Sequence, residues 1–318
     1  MIASDTGKAQ VFYAITTWRG VKGMKVGFIG AGKVGFSLGK FLKTHDVDVV
    51  GYYSKTPESA KSAADFTETK VYGTIADIVQ DSDTIFVTVP DGQICMVWDC
   101  IKNLDIKNKN ICHCSGSISS AAFFDGENLG ASIYSVHPLY AVSSKYDTYK
   151  ELEQAYFTLE GSGDHLQDMK DMLQKAGCKV IVMDSENKSL YHCGAVVVSN
   201  LVTGLYSLGV RILANCGFEE DDAQKALIPL FLGNAQAVAE RGPVDALTGP
   251  VERADVSTIE KHIRSIQNLS DAKEGEDFMK IYLLLSEQLL AIAGEKHPER
   301  DYAKVAEVID DEKHSIHI

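Results

Sequence analysis

The chain has little positive charge for its size. Its 318 residues carry 31 Lys and Arg against 44 Asp and Glu, a net charge of -13. Nucleic acid needs a basic face and anionic bilayers attract polybasic segments, so neither is an expected partner. Cysteine is also scarce, with seven residues scattered over the whole length. An odd, dispersed set points to reduced thiols and a cytoplasmic location, not to a disulfide framework. Metal-ligand spacing is missing too. Cys112, His113 and Cys114 would alternate across the faces of a strand, and no second pair follows at zinc spacing, so no metal is expected. There is no internal repeat, no low-complexity tract, and no strand-like segment after Asp184.

Two segments invite misreading. Residues 1–23 lack the continuous apolar core of a signal peptide and are expected to be a tail outside the fold. Residues 191–210 carry no charge over a span long enough to cross a bilayer. However, His192, Asn200, Thr203 and Ser207 interrupt that run, and Lys188 and Arg211 flank it on both sides. The expectation is a helix packed between other helices or across a homodimer interface, not a membrane span.

What is present starts with Lys25-Val26-Gly27-Phe28-Ile29-Gly30-Ala31-Gly32-Lys33-Val34-Gly35. An apolar strand runs into Gly-x-Gly-x-x-Gly, and a helix-forming segment at 36–42 follows. Gly30 permits the tight turn, Gly32 opens the backbone to phosphate, and Gly35 lets helix and strand pack closely. With Ala31, Lys33 and Val34 they form a dinucleotide turn at a helix N-terminus. About 20 residues on, where an NAD site offers an acid to the ribose, the chain has Ser54, Lys55 and Thr56 instead. A cation between two hydroxyls suits the 2′-phosphate of NADP, so NADP is favoured over NAD.

Length suggests two domains, and 45% hydrophobic with 24% charged residues is ordinary for a soluble globular protein. Strands are expected at 25–29, 47–53, 84–89, 110–114, 131–136, 155–159 and 179–183, with helical patterns between most of them. That alternation predicts an α/β fold with a doubly wound, mostly parallel sheet. A helical periodicity at 164–176 belongs to the first domain, and those at 190–213, 221–239, 257–266 and 277–293, broken by Pro243 and Gly249-Pro250, predict an all-α second domain. The domains are expected at 24–184 and 185–318.

Ligands of such sheets bind beyond the C-terminal strand ends. Three segments lie there: Val89-Pro90-Asp91, Ser115-Gly116-Ser117 and His137-Pro138. Val89, Pro90 and Asp91 are expected on the cofactor, and His137 at a substrate oxygen, where an unperturbed imidazole would exchange protons near neutral pH. His192 is a second proton carrier. Ser115 and Asn200 are oxygen-holding groups. Lys188, His192 and Asn200 fall at spacings of four and eight, one face of a continuous helix. Arg253, after the rigid Gly249-Pro250, and Lys188 are expected to bind a polar small-molecule substrate.

Several of these stretches carry a family resemblance: Ile111-Cys112-His113-Cys114-Ser115-Gly116-Ser117, Tyr134-Ser135-Val136-His137-Pro138-Leu139, Tyr191-His192 with Ser199-Asn200, and Thr248-Gly249-Pro250-Val251-Glu252-Arg253-Ala254-Asp255. Together they resemble bacterial oxidoreductase-like proteins that join a Rossmann domain to an all-helical C-terminal domain of unknown function. The family motif has glycine where this chain has Ala254. The wider superfamily it resembles includes 6-phosphogluconate and 3-hydroxyacyl dehydrogenases, pyrroline-5-carboxylate reductase and deazaflavin-dependent NADP reductases. The 3-hydroxyacyl branch implies Ser115, His137 and Asn200 around a reacting carbonyl, although its acidic partner for the histidine has no clear counterpart beyond Asp147 or Glu151. The implied activity is hydride transfer between NADP and a small polar carbonyl, hydroxyl or imine compound. A non-catalytic NADP-binding sensor or scaffold is the alternative.

Overall fold

The computed structural model describes residues 24–269 and 271–317, so the expected tail at 1–23 lies outside the described residues. Among them the chain divides into two compact units, one running to Val196 and one from Val197. The sequence expectation put the division at 184/185. The difference arises because the next helix keeps its first turns on the sheet, anchored by the buried Lys188 side chain.

The first unit is an eight-stranded sheet built from β1 (Lys25–Ile29), β2 (Asp48–Tyr53), β3 (Lys70–Val71), β4 (Thr84–Val87), β5 (Asn110–His113), β6 (Ser132–Leu139), β7 (Tyr156–Ser162) and β8 (Lys179–Val182). Their order is β3-β2-β1-β4-β5-β6-β7-β8, and every pair is parallel except β6 with β7. The helices are α1 (Lys33–Thr44), α2 (Pro57–Thr67), α3 (Ile75–Asp81), α4 (Ile94–Ile101), α5 (Leu166–Lys175) and α6 (Lys188–Val198).

Strand periodicity of two sorts the apolar residues into two cores. Phe28, Phe86, Cys112 and Tyr134 face one, with Phe36 and Phe41 of α1. Ile29, Ile85, Ile111 and Ile133 face the other, with Trp98 of α4. Each fully buried aromatic or aliphatic side chain contributes about 1.5–3 kcal/mol, so both faces are held independently. The two-residue β3 was not expected. It is too short to show a period and pairs only with Gly51 and Tyr52.

The second unit is helical: α7 (Asn200–Asn215), α8 (Glu220–Ala246), α9 (Val256–Gln267), α10 (Ala272–Lys296) and α11 (Ala303–Ser315). Asp255 caps α9 by accepting from Thr258 N, and Asp271 caps α10 at the N–H groups of Lys273 and Glu274. The break expected at Pro243 falls at Gly242, whose φ of 77° no ordinary helix permits. Ile259, Ile263, Met279, Leu283, Val305 and Ile309 form the core, which draws on α9, α10 and α11 and leaves α7 outside. Leu201 of α7 is 59% exposed and Leu230 of α8 is 70% exposed. The helical stretch Ser185–Asn215 is long and apolar enough to cross a membrane by length and composition, yet only 11% of its most apolar window is buried within the chain. Packing among the described helices therefore does not cover it.

Candidate active site

The glycine turn connects β1 to α1. Gly30 has φ 110°, its N–H donates to the Tyr53 carbonyl (2.8 Å), and its carbonyl accepts from Thr88 Oγ1 (2.8 Å). A Cβ on Gly30 would stand 2.7 Å from the Thr88 carbonyl oxygen, and one on Gly35 would stand 2.2 Å from Thr88 Oγ1. Both glycines are therefore dictated by the close approach of β4. Gly32 caps α1 in an extended conformation with no side chain to meet the first amides, and the first helical turn holds Lys33 and no acid. Free N–H groups, the positive helix end and a lysine make a place for phosphate.

Beside the turn lies a cavity of about 730 Å³ lined by Gly30, Ala31, Gly32, Ser54, Lys55, Thr56, Val89 and Pro90, with Ile75, Met96 and Val97 as an apolar wall. Among the described residues no carboxylate lines it, although the chain carries a net charge of -13. Its cations are Lys55 and Lys145, the second of which the sequence reading did not anticipate. This composition fits a phosphorylated dinucleotide: amides for the pyrophosphate, apolar walls for a ring, ammonium groups for a further phosphate.

A second cavity of about 420 Å³ joins Gly32, Lys33, Val34, Val89, Pro90 and Asp91 to Cys114 and Ser115. Ser115 Oγ donates to Asp91 Oδ2 (2.8 Å) and accepts from the N–H groups of Ser117 (3.2 Å) and Ile118 (3.0 Å). Ser117 Oγ donates to the same carboxylate oxygen (3.2 Å). The Ser115 hydroxyl thus shapes its own turn and orients Asp91. Behind it, Lys188 Nζ donates to Ser135 Oγ (2.7 Å), which donates to the Ser115 carbonyl (3.2 Å).

His137 stands near the C-terminal end of β6, and His192 lies on α6. The point a Cβ on Gly116 would occupy is 2.9 Å from His137 Nε2 and 2.8 Å from His192 Nδ1, so the bare glycine is what admits both rings. His137 Nδ1 shares a hydrogen bond of 2.8 Å with Tyr191 Oη, and the rings meet edge to face. Among the described residues, the buried His192 Nδ1 has no hydrogen-bond partner. A buried polar atom of this kind costs free energy unless something meets it, which marks the spot as one for a ligand group.

Burial, with the neighbouring Lys188 charge and then His192, pushes the His137 pKa down to about 4. The sequence reading assumed an unperturbed imidazole. The correction follows from the dry pocket, and His137 is neutral at pH 7. His113 is likewise lowered to about 4, chiefly by burial. Lys188 is 1% exposed and its pKa is lowered by burial, an effect that the Glu160 charge opposes. Its ammonium faces Ser135 inside the sheet unit, a position that serves the Ser115 turn.

Asn200 is not on the helix of Lys188 and His192. Ser199 departs from helical geometry (φ -117°, ψ -75°), α7 starts afresh, and Asn200 belongs to the helical unit, exposed and accepting from Ser199 Oγ. The single helix face expected for the three residues therefore holds only for Lys188 and His192. Arg253 is also in the helical unit and exposed, while its neighbour Glu252 is taken by Arg300 and His297. Ala254 has φ 56°, the left-handed region, which is why glycine suits that position and why the methyl costs roughly 1–2 kcal/mol. Of the acids considered for His137, Asp147 pairs with Lys150 and Ser144, and Glu151 accepts from Tyr140. Tyr191 takes the partner's place.

Residues 25–111 match the family described as NADP oxidoreductase, coenzyme F420-dependent, and residues 155–289 match the domain of unknown function DUF2520. The chain thus joins a match to an NADP oxidoreductase family in its amino-terminal part to a match to this domain in its carboxy-terminal part. Protein TM1727 from Thermotoga maritima is 25% identical with a TM-score of 0.65, over 86% of this chain and 99% of that one. BF3122 from Bacteroides fragilis, designated an NADP oxidoreductase, is 23% identical with a TM-score of 0.64, over 85% and 98%. A pyrroline-5-carboxylate reductase from Coxiella burnetii shares the fold at 13% identity and a TM-score of 0.53, over 86% and 98%. No curated protein matches the chain in sequence. The residues from Gly30 to Pro90 that line the larger cavity lie within the stretch matched to the NADP oxidoreductase family.

Proposed function

We propose that this protein is an NADP-dependent oxidoreductase acting on a small polar carbonyl, hydroxyl or imine compound. The observation that carries this reading is the meeting of His137 Nε2 and the unpartnered His192 Nδ1 at Gly116, directly after β5. The turn that holds them also carries Ser115, which lines the smaller cavity together with Gly32 and Asp91. A nicotinamide dinucleotide held at Gly30 to Gly32 and Ser54 to Thr56 would supply or take the hydride. What the protein must add is a place for the proton and for the charge that develops on the substrate heteroatom. Neutral His137, oriented by Tyr191, holds or accepts that proton, and His192 offers its free nitrogen to the same group.

Preference for NADP rests on Ser54, Lys55 and Thr56. NADPH is expected to raise the melting temperature more than NADH, and Lys55→Ala to erase the difference. Equal shifts in the wild-type protein would reject NADP as the preferred cofactor. NADPH binding with no turnover across carbonyl and imine panels would favour the sensor reading.

The working unit is a homodimer, because Leu201, Leu205, Leu230 and Leu232 present an apolar surface that the described residues do not cover. Light scattering is expected to give twice the 34.7 kDa chain mass. A monomer at micromolar concentration would refute this.

A further inference from the structure

We infer that Lys145 is a second cation for the 2′-phosphate of the cofactor, supplied by the β6–β7 connection and not by the dinucleotide motif. This rests on the NADP reading above and extends it to a residue that the motif does not contain. Lys145 lines the same cavity as Ser54, Lys55 and Thr56, ninety positions further along the chain than Lys55.

The connection is fixed to both helices that border the cavity. Ser37 of α1, fully buried, donates through Oγ to the Ser144 carbonyl (2.9 Å) and more weakly to that of Lys145 (3.4 Å). Ser144 N donates to Thr148 Oγ1 (3.1 Å), closing the loop on itself. The next residue, Tyr146, shares a hydrogen bond of 3.2 Å with Ser62 Oγ of α2, and its ring meets Phe36 and Phe66 edge-on at 4.9 and 5.3 Å. Lys145 is therefore carried between α1 and α2 on a backbone that both helices hold.

Its charge is available. Among the described residues neither Lys145 nor Lys55 makes an ion pair, and Lys145 Nζ rests over the Phe36 ring at 5.5 Å, a weak contact that an anion displaces readily. With no carboxylate among the described residues of the cavity wall, Lys55 and Lys145 line a space sized for a dinucleotide. The pyrophosphate already has the open amides of α1. Tyr146 ties the connection to α2, the helix that follows Ser54 to Thr56, and Ser59 of that helix lines the cavity with Lys145, on the side where the extra phosphate of NADP belongs.

Dissociation constants for NADPH and NADH, measured by titration calorimetry on the wild type, Lys145→Met, Lys145→Arg and Lys55→Ala, test this. Methionine keeps the stem over Phe36 and removes only the charge. Lys145→Met is expected to weaken NADPH about tenfold and leave NADH within twofold, with arginine restoring most of the loss. Equal weakening of both nucleotides would assign Lys145 to the pyrophosphate and overturn the inference, as would no change in either. If Lys55→Ala lowers the NADPH preference and Lys145→Met does not, the inference fails while the NADP reading stands. A wild type that shows no preference removes both.

Discussion

Replacing His137 by glutamine is expected to lower turnover about 10²- to 10⁴-fold while leaving NADPH affinity unchanged, the range by which a positioned proton-transfer group accelerates a reaction. Glutamine can still bond Tyr191, so the loss reports the imidazole and not a collapsed pocket. The pH dependence separates the two directions of reaction. Because burial and the Lys188 charge hold the His137 pKa at about 4, the imidazole is ready to accept a proton throughout neutral pH. Oxidation of a hydroxyl or amine substrate is therefore expected to run at a level rate from pH 8 to 5 and to fall as His137 protonates below that. Reduction, which needs a proton delivered, gains from the same protonation and should accelerate toward acid pH. Turnover of His137→Gln within twofold of the wild type, in either direction, would remove His137 from the mechanism. Tyr191→Phe is the companion variant. It leaves the imidazole in place without its 2.8 Å partner and is expected to cost less than the loss of the ring.

The sheet unit was legible in the sequence because its physics is local. The parallel strands β1, β4 and β5 are buried on both faces, so they read as apolar runs, and the turn after β1 needs glycine at two positions for contacts with Thr88. The helical unit was legible as helix but not in its joints. The uncharged run continues on both sides of Ser199-Asn200, and single polar residues also occur inside helices, so nothing in the periodicity shows that α6 ends and α7 begins there. The same blindness misplaced Asn200 relative to His192. Tyr191 and Lys145 were missed for another reason. Each acts on a segment more than fifty residues away in sequence, and neither a tyrosine at a helix start nor a lysine in a loop carries a spacing that announces a site. The His137 pKa was also beyond reach, since its shift comes from burial and from Lys188, which arrives on a different element.

Acid lability is the second large effect expected. His113 is 0% exposed, packed edge to face against Phe123 at 5.2 Å. The Ser115 N–H donates to its Nδ1 (3.2 Å), which fixes that nitrogen as the acceptor and leaves Nε2 to donate to the Ser119 carbonyl (3.0 Å). A proton on Nδ1 would face a donor in a dry site, and the pKa falls to about 4. In the unfolded chain the group returns to about 6.5, so between those values the unfolded state binds the extra proton and stability rises with pH. The contribution is complete above pH 6.5 and is lost as the pH falls toward 4, a total of about 3 kcal/mol for His113 alone, of which about 2 kcal/mol is gone by pH 5. His137, lowered for the same reason and less deeply buried, adds in the same direction. Glu252 and Asp255 are held below their usual carboxylate values, so their losses come at lower pH and leave the window from 6.5 to 5 to the histidines. Urea midpoints at pH 7.5, 6.5, 5.5 and 5.0 are expected to drop steadily over the last three points, and a His113→Gln variant, though less stable at pH 7.5, should show a shallower slope. A wild-type midpoint constant from pH 6.5 to 5.0 would mean that the imidazole of His113 charges freely inside the fold. The dry pocket shared by His113, His137 and Lys188 would then be wet, and the argument that keeps His137 neutral for catalysis would go with it.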